Sequence, residues 1–160
     1  MMRILAVDTS TRSCSIAVVD GSDLLAEITS GNGQTHSRHL MAMIDSALGL
    51  AGLNLSMIDG LAFTCGPGSF TGLRIGISTI LGLSASTGKP IAGISGLDAL
   101  AMQAAAPDIL ICPMIDGRRN EVYCARYRWV NDALVKEMAE QVLSQELAIS
   151  ITRSMTPTEL

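Results

Sequence analysis

The sequence predicts an α/β protein with a duplicated two-lobe fold: a first lobe over residues 1–106 built on a mixed five-stranded sheet, and an incomplete second lobe over 107–160. Short apolar runs rich in branched residues alternate with helical periodicities in the order βββαβαβα through the first lobe. After Pro107 the opening pattern returns: ILAVDTSTRSCSIAVV (4–19) reappears as ILICPMID (109–116), a turn GRRN, and EVYCARYRW (121–129). Asp8 and Asp116 hold the same place in the two copies.

Each element has a local reason. RILAVD (3–8) and SCSIAVVD (13–20) are strands joined by the hydroxyl turn TSTR, and Asp20-Gly21 turns the chain into a third antiparallel strand, LLAEITS (24–30). GNGQT (31–35) is a loop by composition. From His36 to Ala51, apolar Leu40, Met43, Ile44, Ala47, Leu48 and Ala51 recur at helical spacing, with Thr35 as N-cap and Gly52 as the stop. IDGLAFT (58–64) reads as a buried strand, Thr71–Thr87 as a second helix ended by Gly88-Lys89-Pro90, IAGIS (91–95) as a fifth strand, and GLDALAMQAA (96–105) as a third helix. Strands separated by helices pair in parallel, so an antiparallel meander is extended by two crossover strands. In the second lobe, 133–143 reads as a third strand and 144–154 as a helix. Two strands that a full second copy would need do not follow, as in a truncated or a naturally short chain.

Composition narrows the function classes. The chain has 160 residues, 48% hydrophobic and 16% charged, which is enough to bury a core without disulfide staples. No apolar run reaches the length of a spanning helix, and the amino terminus enters a strand without a signal-peptide pattern. Cys14, Cys65, Cys112 and Cys124 lack CxxC spacing and fall mostly in apolar strands, which suits reduced thiols in a cytoplasm. A net charge of −4 opposes nucleic acid overall, so an RNA contact would have to be local or shared with a partner. Arg118, Arg119, Arg126, Arg128 and Arg153 gather in the last third, read first as solvated strand and turn positions, with an RNA patch as the alternative.

The stretch CGPGSFTGLRIG (65–76) carries the candidate chemistry. A Gly-rich turn opening a helix presents unpaired N–H groups and a positive dipole end to a phosphate. Asp8, Thr9 and Ser10 of the first turn, with Gly66, Gly68 and Ser69, would form such a nucleotide site, Asp8 holding Mg²⁺ through water. The structural alternative is a tight turn whose hydroxyls cap each other. Helix packing also uses glycine, and Gly72, Gly76 and Gly82 each cost about 0.5–1 kcal/mol inside a helix relative to alanine. Gly72, Gly76, Thr79 and Leu83 share one face and Ile75, Ser78, Gly82 and Ala85 a neighbouring one, so one smooth side can press onto the sheet and the other receive a partner helix. Leu40, Met41, Met43 and Ile44 of the first helix spread over a wide arc. Those four with Gly72, Gly76, Thr79 and Leu83, eight residues in all, form the expected partner interface, with ordinary core packing as the alternative. No metal site is expected: His36 and His39 lack a third ligand, and Asp98 is one carboxylate. Ser69 does not sit in GxSxG, and no histidine follows it.

DTST, CGPGSFTGLRIG, KPIAGISGLDALA and IDGRRNEVYCARY together resemble the TsaB (YeaZ) family over residues 2 to about 130. The resemblance implies an actin-like ATPase (ribonuclease H-like) fold in a group once labelled glycoprotease-like. It implies a noncatalytic subunit that docks through its first two helices onto a TsaD-like catalytic protein, or onto a second copy of itself. With a TsaE-like ATPase, that complex makes threonylcarbamoyladenosine at position 37 of ANN-decoding tRNAs, and tRNA is met only through the complex. No catalytic residue is assigned to this chain. The first turn lacks the glycine common in nucleotide-binding relatives, and the stretch GISGLDALAMQ lacks the histidine pair of the catalytic relatives. Metalloprotease chemistry has no ligands here. No cofactor is required, with room left for weak ATP or ADP binding with Mg²⁺. The alternative is a self-sufficient ATPase or acyl transferase working across Asp8, Ser10, Gly66–Gly72 and Asp116.

Overall fold

The computed structural model describes residues 1–31, 36–104, 106 and 109–153, with the side chains of 36–38 and 153 excepted. Its contacts divide the chain into two compact units, Met1–Ser95 and Gly96–Leu160.

Unit 1 runs β1 (Arg3–Asp8), β2 (Cys14–Asp20), β3 (Asp23–Ser30), α1 (His36–Leu50), a 3₁₀ turn (Leu55–Met57), β4 (Gly60–Gly66), α2 (Phe70–Thr87) and β5 (Ile91–Ser95). The sheet order is β3-β2-β1-β4-β5. β1/β2 and β2/β3 are antiparallel, while β1/β4 and β4/β5 are parallel, as the helical crossovers require. Alternation places Leu5 and Val7 of β1 with Cys14, Ile16 and Val18 of β2 on one buried face. Against them pack Leu40, Ile44, Ala47 and Leu48 of α1 and Ile80 of α2. Gly52 (φ 67°) stops α1, with the Leu53 N–H donating to the Leu48 carbonyl at 2.9 Å. The expected Thr35 cap lies outside the described residues. At α2, the Ser69 hydroxyl accepts from Gly72 N, and Gly88 (φ 70°) closes the helix in the left-handed conformation. The 3₁₀ turn was not expected from periodicity. Its signal is local: the Asn54 carboxamide accepts from the Ser56 N–H at 3.0 Å.

Unit 2 comprises α3 (Gly96–Gln103), β6 (Leu110–Ile111), β7 (Met114–Arg118), β8 (Glu121–Val130), β9 (Ala133–Ser144) and α4 (Gln145–Arg153). β6 and β7 pair with successive stretches of β8, and β9 pairs along its whole length, all antiparallel. The expected strand 109–116 is therefore broken at Cys112–Pro113, where proline has no N–H for a ladder bond. The meander repeats that of β1-β2-β3. The repeat extends to one hydrogen bond: Asp8 Oδ1 accepts from the Ser10 N–H at 2.8 Å, and Asp116 Oδ1 accepts from the Arg118 N–H at 2.8 Å. The sequence grouped the third helix with the first lobe, ending that lobe at 106. In the structure Leu97 and Ala101 of α3 pack with Ile111, Ala125 and Tyr127, so α3 belongs to the second compact unit. A connection read along the chain cannot show which sheet a helix's apolar side selects.

Candidate functional site

Because β1 and β4 are parallel, their carboxyl ends lie at the same edge of the unit 1 sheet, where α/β proteins build their sites. This brings the turn after β1 against the loop before α2. Asp8, Thr9, Ser10, Gly66, Gly68 and Ser69 are thus assembled as a group, and the hydrogen bonds show how. The Thr9 hydroxyl donates to the Gly72 carbonyl at 2.8 Å in a buried setting. The Ser69 N–H donates to the Ser10 carbonyl at 2.7 Å, and the Gly72 N–H donates to the Ser69 hydroxyl at 3.3 Å. Thr9 and Ser10 are both buried. Two of the donors that a phosphate would use at this helix start are thus taken, the Ser69 N–H by the hairpin turn and the Gly72 N–H by the helix's own cap. Here the group has the character of the structural alternative, hydroxyls and backbone capping one another.

The glycines confirm the closeness of the fit. A Cβ on Gly68 would stand 2.4 Å from the Ser10 carbonyl oxygen, one on Gly72 2.0 Å from that of Thr9, and one on Gly76 2.3 Å from Thr9 Oγ1. Glycine is needed there because the first turn presses onto the helix, which offsets its cost in helix propensity. This corrects the expected interface. Gly72 and Gly76 are buried inside unit 1, and Leu40 and Ile44 are each 1% exposed in its core. Met43 and Leu83 are half-buried against the same core, and Thr79 is half-buried. Of the eight, Met41 alone is exposed. The eight residues mark mostly the buried sides of the two helices, while Ser78, Gly82 and Ala85 of the neighbouring smooth face of α2 are the ones left exposed.

The free side of α2 is different. Phe70, Arg74, Ser78, Leu81 and Ala85 form one exposed stripe, flanked by exposed Gly82, around which a Cβ would meet nothing within 4 Å. Phe70 is 74% and Leu81 47% exposed. The Arg74 guanidinium lies over the Phe70 ring, 5.6 Å from its centroid, which gives Arg74 a role the sequence left open. Phe70, Thr71, Arg74, Ile75, Ser78 and Thr79 line a shallow open groove. Phe70 and Leu81 lie outside the small-residue pattern by which the sequence marks the smooth sides of this helix. The available signal was charge: among the eighteen residues of α2, Arg74 is the single charged one.

Asp98, weighed as a metal ligand, has a structural place. Its carboxylate accepts the Tyr127 hydroxyl at 2.5 Å and pairs with Lys136 Nζ at 2.8 Å. Burial would raise its pKa, but the hydrogen bonds from Lys136 and Tyr127 outweigh that and hold it below the ordinary carboxylate value. Tyr127 is pushed upward, first by burial and then by Asp98. Among the described residues no three His, Cys, Asp or Glu side chains come together as a ligand set. Cys14 and Cys124 are buried, and burial raises both thiols, with Asp8 adding to the effect at Cys14.

A model of the family TsaD, tRNA N6-adenosine threonylcarbamoyltransferase, matches residues 24–157. The tRNA threonylcarbamoyladenosine biosynthesis protein TsaB of Haemophilus influenzae is 39% identical over 126 residues, covering 76% of this chain and 52% of that protein. TsaB of Escherichia coli is 36% identical over 149 residues, covering 91% of this chain and 64% of its own length. The solved structure of YeaZ from Pseudomonas aeruginosa matches with a TM-score of 0.80 at 31% identity, over 99% of this chain and 72% of that one. The chain spans between half and two thirds of the length of these two curated relatives. The fold is therefore of the actin-like α/β type expected from the motifs.

Proposed function

Because the chain belongs to the TsaB (YeaZ) family, we propose that it is a noncatalytic scaffold and activator subunit that docks on a TsaD-like catalytic protein. The shared reaction is threonylcarbamoylation of adenosine 37 in ANN-decoding tRNAs. The observation that supports docking is α2, an eighteen-residue helix with one charge and an exposed stripe from Phe70 to Ala85. A helix face meant for water carries several charges, whereas one meant for another protein is apolar and smooth. Gly82 adds to this, since nothing inside unit 1 explains its lack of a side chain. Met41, exposed on α1 beside α2, adds an adaptable contact. Without the partner the same face would pair two copies of this chain. A TsaE-like ATPase completes the assembly, which works in the cytoplasm and presents tRNA to the catalytic subunit. No described helix is long and apolar enough to cross a membrane.

Co-elution with a TsaD-like protein in size-exclusion chromatography tests the reading. Leu81→Asp and Gly82→Trp are each expected to weaken pairing by about 30-fold or more, the size of an interface hot spot, while circular dichroism stays that of the parent. If both variants pair like the parent, the α2 face is not the interface.

In this reading the subunit requires no cofactor, and binding of ATP or ADP with Mg²⁺ at Asp8, Thr9, Ser10, Gly66, Gly68 and Ser69 is weak, because the Ser10 carbonyl and the Ser69 hydroxyl already occupy two of the helix-start donors, the Ser69 and Gly72 N–H groups. Calorimetry with ATP and Mg²⁺ is expected to give no saturable heat in the micromolar range. Micromolar binding with turnover would make the chain a self-sufficient nucleotide enzyme instead.

A further inference from the structure

Two tight hairpin turns join the strands of unit 2, and they are built from different residues. β8 and β9 are joined by Asn131 and Asp132, with φ of 49° and 59°. Asn and Asp tolerate the left-handed backbone that a two-residue hairpin turn demands. β7 and β8 are joined by Arg119 and Asn120, with φ of 52° and 64°, and the preceding Arg118 is also left-handed at 65°. Arginine gains nothing from that conformation, and two in succession are costly. The strain is held in place. Asp116 Oδ1 accepts the Arg118 N–H, and the Asn120 carbonyl accepts the Gln145 N–H at 3.1 Å, which ties the turn to the start of α4.

Both arginines are exposed, and no ion pair or hydrogen bond engages either guanidinium among the described residues. Arg126 and Arg128 of the same sheet are, by contrast, both paired with Glu137. Asp116, Glu121 and Glu146 lie close in the chain or at the α4 start, so the tip is two cations above an acidic base, unsuited to a broad polyanion track. It suits one local contact. A guanidinium fork matches the paired oxygens of a phosphodiester.

We propose that Arg118 and Arg119 form a phosphate clamp on the tRNA backbone, held outward by a turn whose strain serves that contact. The inference rests on the tRNA-modifying reading above, and it confines this chain's share of RNA recognition to one hairpin tip. Phosphate contacts position a nucleic acid without reading its sequence, so the clamp would orient tRNA for the catalytic partner.

Anisotropy of a labelled ANN-decoding tRNA, titrated from low to physiological salt with the chain alone and with the co-eluted partner complex, provides the test. Arg118→Gln with Arg119→Gln is expected to weaken binding about tenfold and to lower the log–log salt slope by about 1.5, the value for two lost phosphate contacts. Arg119→Asn with Asn120→Gly gives the turn the residues it prefers. That variant is expected to melt at higher temperature while binding tRNA about threefold more weakly, a combination that a merely structural arginine would not produce. Unchanged affinity and slope, or no tRNA binding by the parent in either form, would overturn the clamp. Variants that lose only the partner would show the tip to be a protein contact, which also overturns it and leaves the docking proposal standing. Should the parent fail to pair with the partner while the variants still weaken tRNA binding, the docking proposal falls and the clamp survives.

Discussion

Gly72→Ala should cost unit 1 about 3–5 kcal/mol, combining overpacking with the loss of a buried hydrogen bond, against a total stability of about 5–15 kcal/mol for a typical domain. The added Cβ would lie 2.0 Å from the Thr9 carbonyl oxygen, and backbone cannot swing aside as a side chain can. Moving the turn away would also break the buried bond from the Thr9 hydroxyl to the Gly72 carbonyl. Gly76→Ala separates the two effects, because its Cβ meets Thr9 Oγ1, a side-chain atom at 2.3 Å. Alone it should cost about 1–3 kcal/mol. In a Thr9→Ala background it should cost nothing further, since the clashing atom is gone and alanine suits a helix better than glycine. Gly82→Ala, with no neighbour within 4 Å, should be neutral or stabilising by up to about 1 kcal/mol. Urea unfolding of the series followed by circular dichroism checks the order. Rescue of Gly72→Ala by Thr9→Ala would contradict the backbone clash, as would parent-like stability of Gly72→Ala itself.

Tyr127→Ala should destabilise unit 2 by about 3–5 kcal/mol, as large-to-small changes at buried aromatic sites do. Tyr127 is 2% exposed in the cluster where α3 meets the sheet. Its ring carries the Lys136 ammonium 5.4 Å from the centroid, and its hydroxyl holds Asp98 of α3. Tyr127→Phe keeps the ring and removes one hydrogen bond, with a smaller cost of about 0.5–1.5 kcal/mol. Asp98 retains Lys136 and is 44% solvent-accessible, so its carboxylate is not stranded. Hydrogen exchange separates anchoring from general stability. In Tyr127→Ala, amides 97–103 should lose protection before those of unit 1, whereas unchanged protection of α3 would mean that Leu97 and Ala101 suffice to hold it.

Much of the architecture was legible because the signals are local. Alternation in β1 and β2, the three- and four-residue spacing of α1, Gly52 and Gly88 as helix stops, and the parallel pairing implied by crossover helices all survive in the structure. The break at Cys112–Pro113 was legible in principle, since proline withdraws a ladder donor wherever it stands. The turn–helix group at Asp8–Ser10 and Gly66–Ser69 was recognised as a group, while its internal hydrogen bonding was not, because a Gly-rich helix start reads alike whether it awaits a phosphate or a neighbouring turn.

The sequence by itself determined the order of elements, the mixed sheet, the repeat that relates Asp8 to Asp116, and the family motifs, since these depend on periodicity, punctuation and spacing along the chain. Tertiary structure alone decided which glycines face inward. Gly72 and Gly76 lie under Thr9 and Gly82 faces solvent, a difference set by residues more than sixty positions away in the chain. It also decided that α3 packs in the second unit, and that Arg118 and Arg119 occupy a left-handed turn. In each case the deciding quantity is a distance or a backbone angle imposed by a packed neighbour, and the same residue types in another fold would take another value.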